Sequence, residues 1–254
     1  MATLNTRLPM RCVGLVGGMS WESSALYYRL LNQAVQSKLG GHHNARSVMV
    51  TIDFQTLVDA AAQGDWAAVA EHIGQAASQL EAAGADFLVL TANTAHQIFD
   101  QLPKYTNLPA LHIGTATARA LKAAGHTRVG ILGTRHVTES TFYADWLSQH
   151  AGIKVVPPDE QDRKRLDTII FDELAKGNVW AESRNCLQKI IERMQRDGLE
   201  AVIVACTELP LLLQSDGPTP VLPCLDTVAL HVELAVNIAL GQTPIDSAMY
   251  APGT

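Results

Sequence analysis

The 254-residue chain has little charge and few aromatic rings: Asp, Glu, Lys and Arg make up 17% and Phe, Trp and Tyr 6%. Its balance is acidic, with a formal charge of −6, which argues against a nucleic-acid or anionic-membrane binder. No apolar run reaches the roughly 20 residues of a membrane-spanning helix. Met1 to Arg11 lacks an apolar signal core, so a cytoplasmic protein is expected. Cysteine is scarce. Cys12, Cys186, Cys206 and Cys224 form no CxxC pair and no Cys/His ligand spacing, so no metal is expected and free thiols in a reducing compartment are. A complete GxGxxG fingerprint is missing as well, which leaves a nucleotide reading weak. What remains is globular: 47% of the residues are hydrophobic, many of them alanine, enough for one large domain or two small ones.

Within that composition the chain repeats itself. Arg11-Cys12-Val13-Gly14-Leu15-Val16-Gly17-Gly18 resembles Thr127-Arg128-Val129-Gly130-Ile131-Leu132-Gly133-Thr134, with Gly14 and Gly17 each 116 positions before Gly130 and Gly133. Ala83 to Leu90 resembles Asp197 to Val204, and Ala92 precedes Cys206 by 114 positions. A third pair is Pro109 to Thr115 and Pro220 to Thr227. Three blocks in one order at nearly constant offset predict duplicated lobes.

Short runs, apolar throughout, are expected for strands covered on both faces of a parallel sheet. They fall at 12–16, 47–53, 86–91, 109–113, 128–132, 153–156, 200–205 and 220–223. Helical patterns follow at about 21–39, 55–83, 94–101, 114–124, 139–150, 162–197 and 226–241. Gly64-Asp65 and Gly177-Asn178 are expected to break two of them. The alternation predicts an α/β protein of two pseudo-symmetric doubly wound parallel-sheet lobes. One lobe would hold 1–114 plus 226–254, the other 115–225. The last helix would return to the first lobe, and the tail from Thr243 would fray.

Ligands of open α/β sheets sit at the carboxyl ends of strands. Four segments end there: Gly17-Gly18-Met19-Ser20, Ala92 to His96, Gly133-Thr134 and Cys206-Thr207-Glu208, and a cleft between lobes could collect them. Gly17-Gly18 could admit an anion to backbone amides, or make a tight turn. Asn93, Thr94 and Thr207 are helix-capping types that can also bind a carboxylate. Cys206 follows a buried strand at an expected helix start, a position that favours thiolate, although Glu208 would oppose it and inert buried cysteines are common. His96, one turn into its helix, is a structural histidine or a proton carrier. His112, His136, Arg135 and Arg165 have less support; the arginines could meet a substrate carboxylate or only solvent.

Together these segments resemble the aspartate/glutamate racemase family, over Gly14 to about Leu240. The chain is most similar to the branch with Gly-Gly-Met-Ser-Trp-Glu-Ser, here Gly17 to Ser23, then Tyr27-Tyr28, Asn93-Thr94-Ala95-His96, Gly133-Thr134 and Ala205-Cys206-Thr207-Glu208. The resemblance implies a cofactor-free site between two lobes, a small amino-acid substrate, a homodimer, and neither metal nor pyridoxal phosphate. It implies two cysteines on opposite faces of the substrate Cα, one removing and one returning the α-proton. It implies that Asn93, Thr94 and Thr207 hold the carboxylate, that Gly18, Met19 and Thr134 lie near the substrate, and that Cys206 serves the L-enantiomer.

At one position the pattern fails. A cysteine, or in some relatives a threonine, is expected before Asn93-Thr94, and the chain has Ala92. Alanine carries no exchangeable proton, so two-base racemisation of aspartate or glutamate would be impaired. Thr91 is one residue away, and that shift redirects its side chain. Three readings follow: Ala92 replaces a natural cysteine; the chemistry uses one base, as slow racemisation with water or His96 on the other face, or as a decarboxylation or isomerisation of the kind arylmalonate decarboxylases run; or the protein binds amino acids without catalysis. A retained Cys206 favours an enzyme.

Overall fold

The computed structural model describes residues 10–213 and 218–248. These form two compact units. The first comprises the described residues up to Thr115 together with those from His231 onward; the second is Ala116–Leu230.

The first unit is built on β1 (Val13–Gly17), β2 (Ser47–Thr51), β3 (Phe87–Leu90) and β4 (Ala110–Leu111), in the order β2-β1-β3-β4. All pairs are parallel; Leu15 sits between Met49 and Val89. Every residue of β1 and β3 is buried, because helices cover both faces and leave no polar side to alternate with. Helix α1 (Trp21–Leu39) starts where the Ser20 hydroxyl accepts from the Ser23 amide and stops at Gly40. Helices α2 (Phe54–Ala62) and α3 (Trp66–Ala82) start on the carboxylates of Asp53 and Asp65, and Gly64-Asp65 is the break between them. Ile73, Ala77 and Leu80 of α3 pack on Leu88, Leu90 and Ile98.

The second unit repeats the plan with β5 (Arg128–Leu132), β6 (Lys154–Val156), β7 (Val202–Val204) and β8 (Cys224–Asp226), order β6-β5-β7-β8, again all parallel. The α/β class and the paired parallel sheets are thus as the sequence indicates. The helices that precede and follow these strands are α4 (Ile113–Ala123), α5 (Arg135–Glu139), α6 (Phe142–Ala151), α7 (Glu160–Thr168), α8 (Ala181–Arg196) and α9 (Pro210–Leu213). Helix α10 (Thr227–Ala239) carries the chain back to the first unit, where Arg11 donates from its amide to Ala239 and from its guanidinium to Ile238.

Local spans differ from expectation in several places. The strand expected at 220–223 lies at Cys224–Asp226 instead; Pro220 and Pro223 have no amide to give a ladder, and pairing begins once they are passed. The segment after β3 is a 3-10 helix, Thr94–Lys104, with Pro103 in its last turn. The pattern at 139–150 is split by Ser140, whose backbone is extended (φ −81, ψ 153). After α7 the chain passes through a π-helical turn, Ile169–Glu173, and a 3-10 turn that ends at Gly177. Helix α9 starts at Pro210 instead of at Cys206, and α11 (Ile245–Ala248), inside the tail expected to fray from Thr243, was not expected; 249–254 and Met1 to Pro9 lie outside the described residues. Among the described residues, no helix is long and apolar enough to cross a membrane.

Candidate active site

In the first unit the Gly-Gly-Met-Ser segment serves the fold. Gly18 has φ +90, and a Cβ there would collide with the backbone of Ile52. Its amide donates to Ser24 Oγ at 2.9 Å, so that amide is not offered to an anion. Met19 is buried in the core beside Val16, Leu90 and Ala92. Ser24 Oγ also lies 2.9 Å from the Ser20 carbonyl and 3.0 Å from Thr91 Oγ1, while Ser23 Oγ donates to the Thr91 carbonyl. These bonds lock the ends of β1 and β3 together. Thr91 is completely buried, with Oγ1 3.0 Å from the Val16 carbonyl. Its hydroxyl is committed to that lock and is not a substitute acid for Ala92.

Ala92, Asn93 and Thr94 form the turn beyond β3. Ala92 and Asn93 are buried and Thr94 is half-buried. Asn93 occupies the capping position of the 3-10 helix without making a side-chain cap bond. His96 holds this turn from below: Nδ1–H donates to the Ala92 carbonyl at 3.0 Å and lies 3.3 Å from the Asn93 carbonyl. Its ring stands 4.8 Å from His112 and 5.6 Å from His231. All three histidines are buried.

The tautomers follow from the partners. His231 Nε2–H donates to the Leu111 carbonyl at 3.1 Å, so its Nδ1 accepts from the Tyr27 hydroxyl at 3.0 Å. Burial pushes His96 down to about 4 and His231 down to about 3, with His96 adding to the effect on His231. An imidazole that is neutral at pH 7, with its one N–H bonded to backbone, is suited to holding the turn and not to delivering a proton. This argues against the catalytic role considered for His96.

In the second unit Cys206 is buried, and its thiol donates to Glu208 Oε2 at 3.0 Å. No helix starts at Cys206; α9 begins four residues on. The expected lowering of its pKa is therefore corrected: burial first, then the charge and hydrogen bond of Glu208, push the thiol well above its ordinary value. Nearby amides of Glu208 and Leu209 oppose this only in part. At neutral pH Cys206 carries its proton, and Glu208 is the group placed to receive it. Thr207 is half-buried beside them.

Thr134 ends the loop after β5 at the start of α5, without a side-chain cap bond. The cap comes from elsewhere: Asp167 Oδ1 accepts from the Arg135 amide at 3.0 Å. The Arg135 guanidinium is held by Glu139, and Arg165 lies 3.7 Å from Glu173. Glu173 is itself buried and accepts from Ser183 Oγ. His136 is exposed. Cys12 and Cys224 lie at the amino ends of β1 and β8, and Cys186 lies on α8, so none of them competes with Cys206. Sequence reasoning missed Ser24, His231 and Asp167. The first extends the early motif by one residue; no local signal marks the other two.

A model of the Asp/Glu/hydantoin racemase family matches residues 16–235. The chain belongs to this family. Among solved structures, that of a candidate Asp/Glu racemase from Yersinia pestis is 38% identical, with a TM-score of 0.86, covering 91% of this chain and all of that one. An aspartate racemase homologue from Pyrococcus horikoshii OT3 is 28% identical, with a TM-score of 0.81, over 91% of this chain and 99% of its own. The broad specificity amino-acid racemase RacX of Bacillus subtilis is 26% identical over 164 residues, 65% of this chain and 69% of its own length. At the level of the family, these relatives support a racemase-type isomerase.

Proposed function

We propose that this protein exchanges the α-proton of an amino acid without a cofactor, using Cys206 as its one thiol acid/base. The observation that carries the reading is the Cys206–Glu208 hydrogen bond at the carboxyl end of β7. Glu208 takes the thiol proton. The resulting thiolate then takes the α-proton and becomes a thiol again, and the substrate Cα holds the electron pair as a carbanion stabilised by its carboxylate. The same thiol, after exchange with solvent, returns a proton to the same face. Asn93, Thr94, Thr207 and Thr134 are proposed to hold the amino acid.

Ala92 stands where the family resemblance expects the second acid. With only a methyl group there, proton return from the opposite face has no donor, so exchange should outrun racemisation. Relatives named for aspartate and glutamate make acidic amino acids the default substrates, and a homodimer is proposed on the family resemblance alone. The test is incubation with L- and D-amino acids in deuterium oxide, following α-proton loss and optical rotation together. Deuterium uptake from the L-enantiomer without loss of rotation, absent in Cys206→Ser, supports the reading. Equal uptake from both enantiomers, or racemisation at the rate of uptake, would sink it.

A further inference from the structure

Helix α1 turns one face to the core through Tyr27, Leu31 and Val35. Its outer face carries Arg29, Gln33 and Gln36, spaced four and three residues apart so that they line up along the helix. The chain then doubles back. Gly40 and Gly41 take φ values of +75 and +56, a left-handed turn that glycine permits. Side chains of the helix hold the returning loop against it: Gln36 Nε2 donates to the Gly41 carbonyl at 3.0 Å, and the Ala45 amide donates to Asn32 Oδ1 at 3.0 Å. The Gly40 amide closes the helix on the Gln36 carbonyl at 2.7 Å. Helix and loop together form a surface groove of about 490 Å³.

Tyr28, Arg29 and Gln33 line the groove from the helix, and His42, His43 and Asn44 from the loop. None of its lining residues is acidic. The chain has 25 Asp and Glu against 19 Lys and Arg, so a concave surface with a cation and no carboxylate runs against its balance. The Arg29 guanidinium, the Gln33 amide, both imidazoles and the Tyr28 hydroxyl make no hydrogen bond or ion pair among the described residues. Helix α1 leads from the carboxyl end of β1 to the amino end of β2, and the loop runs into β2 at Ser47. The groove therefore lies toward the amino ends of the strands, away from the turn of Ala92 and Asn93 at their carboxyl ends.

We infer that this groove binds a small molecule bearing an oxyanion group, a phosphate ester or a polycarboxylate. A guanidinium offers a planar fork of N–H donors that fits two oxygens of such a group. Imidazole and carboxamide N–H groups of His42, His43, Asn44 and Gln33 supply further donors. The Tyr28 ring, 51% exposed, gives the rest of the molecule a flat apolar wall. The negative end of the α1 dipole opposes an anion only within the last turn, and Arg29 and Gln33 precede that turn. A metal cation fits poorly, because Arg29 repels it and no carboxylate is present to hold it. The site is independent of Cys206, so it stands or falls apart from the proton-transfer reading.

Backbone amide NMR of the full chain tests this, in titrations with inorganic phosphate, pyrophosphate and citrate at low ionic strength and with sodium chloride as the control. Shifts should saturate and map to residues 28–33 and 41–45. Arg29→Gln should weaken binding about fivefold or more. Arg29→Lys, which keeps the charge and loses the fork, should weaken it less. Lys38→Gln, at an exposed cation of the same helix outside the groove, should leave binding unchanged. Saturation by phosphate and pyrophosphate alone would assign a phosphate ligand, and saturation by citrate alone a polycarboxylate. Equal losses in Arg29→Gln and Lys38→Gln would overturn the inference, because diffuse surface charge would then account for the binding. Shifts that never saturate, or that sodium chloride reproduces, would overturn it too.

Discussion

The buried histidines make acid stability a direct test of the first unit's interior. His96 has an ordinary value of 6.5 and is lowered to about 4 by burial, which outweighs the opposing effect of its backbone carbonyl partners. Above pH 6.5 neither folded nor unfolded protein binds this proton, so stability is unaffected. Between 6.5 and about 4 only the unfolded chain binds it, and stability falls with falling pH. A window of about 2.5 pH units at 1.36 kcal/mol per unit is worth about 3 kcal/mol, a sizeable part of the stability of a typical domain. His231 acts in the same direction. Because it interacts with His96, the two contributions are not simply additive. His96→Gln keeps an amide that can donate to the Ala92 carbonyl and removes the titration. Urea unfolding from pH 7.5 to 4, followed by fluorescence, should find the variant less stable at pH 7.5 through lost packing. Its further loss on acidification should be smaller than the wild type's by about 3 kcal/mol. Parallel curves for the two proteins would refute the reasoning, as would an imidazole NMR titration placing His96 near 6.5.

Other consequences are equally specific. Ala92→Cys should raise racemisation by orders of magnitude over the parent if the opposite face lacks only a proton donor; a folded variant with no gain would show that the position is not the second acid. Glu208→Gln removes a charge that raises the Cys206 thiol, so alkylation of Cys206 by iodoacetamide at pH 8 should quicken while α-proton exchange slows. Both rates falling together would separate the thiol from Glu208. Gly18→Ala would drive a Cβ into the Ile52 backbone at a φ of +90, with an expected loss above about 2 kcal/mol in chemical denaturation; a near-neutral result would contradict the close approach of β1 and β2.

Much of the architecture was legible because it is written in periodicity. Val13 to Gly17 and Phe87 to Leu90 have no polar alternation, and only a strand covered on both faces suits such a run. Helix starts at Ser20, Asp53 and Asp65 follow from side chains that satisfy free amides within three residues. Strand limits near Pro220 and Pro223 were less legible, since apolar content marks burial and pairing depends on which residues have an amide to give. The candidate site divided similarly. Cys206, Thr207 and Glu208 were visible as a cluster beyond an apolar run, but the protonation state of the thiol was not. That state depends on how far the sulfur is buried and on whether the Glu208 carboxylate, whose opposition the spacing already suggested, is aimed at it.

By itself, then, the sequence determined the α/β class, the duplicated order of strands and the identity of the polar residues beyond them, because these depend on local hydrophobic pattern, backbone chemistry and side-chain type. Tertiary structure decided what those residues are for. It spent Gly18, Ser24 and Thr91 on tying two strand ends together. It brought His96, His112 and His231 together in one buried cluster from positions up to 135 residues apart. It also decided between the two states the sequence left open for Cys206, in favour of a buried thiol, because desolvation and a neighbouring charge are properties of what surrounds a group in space.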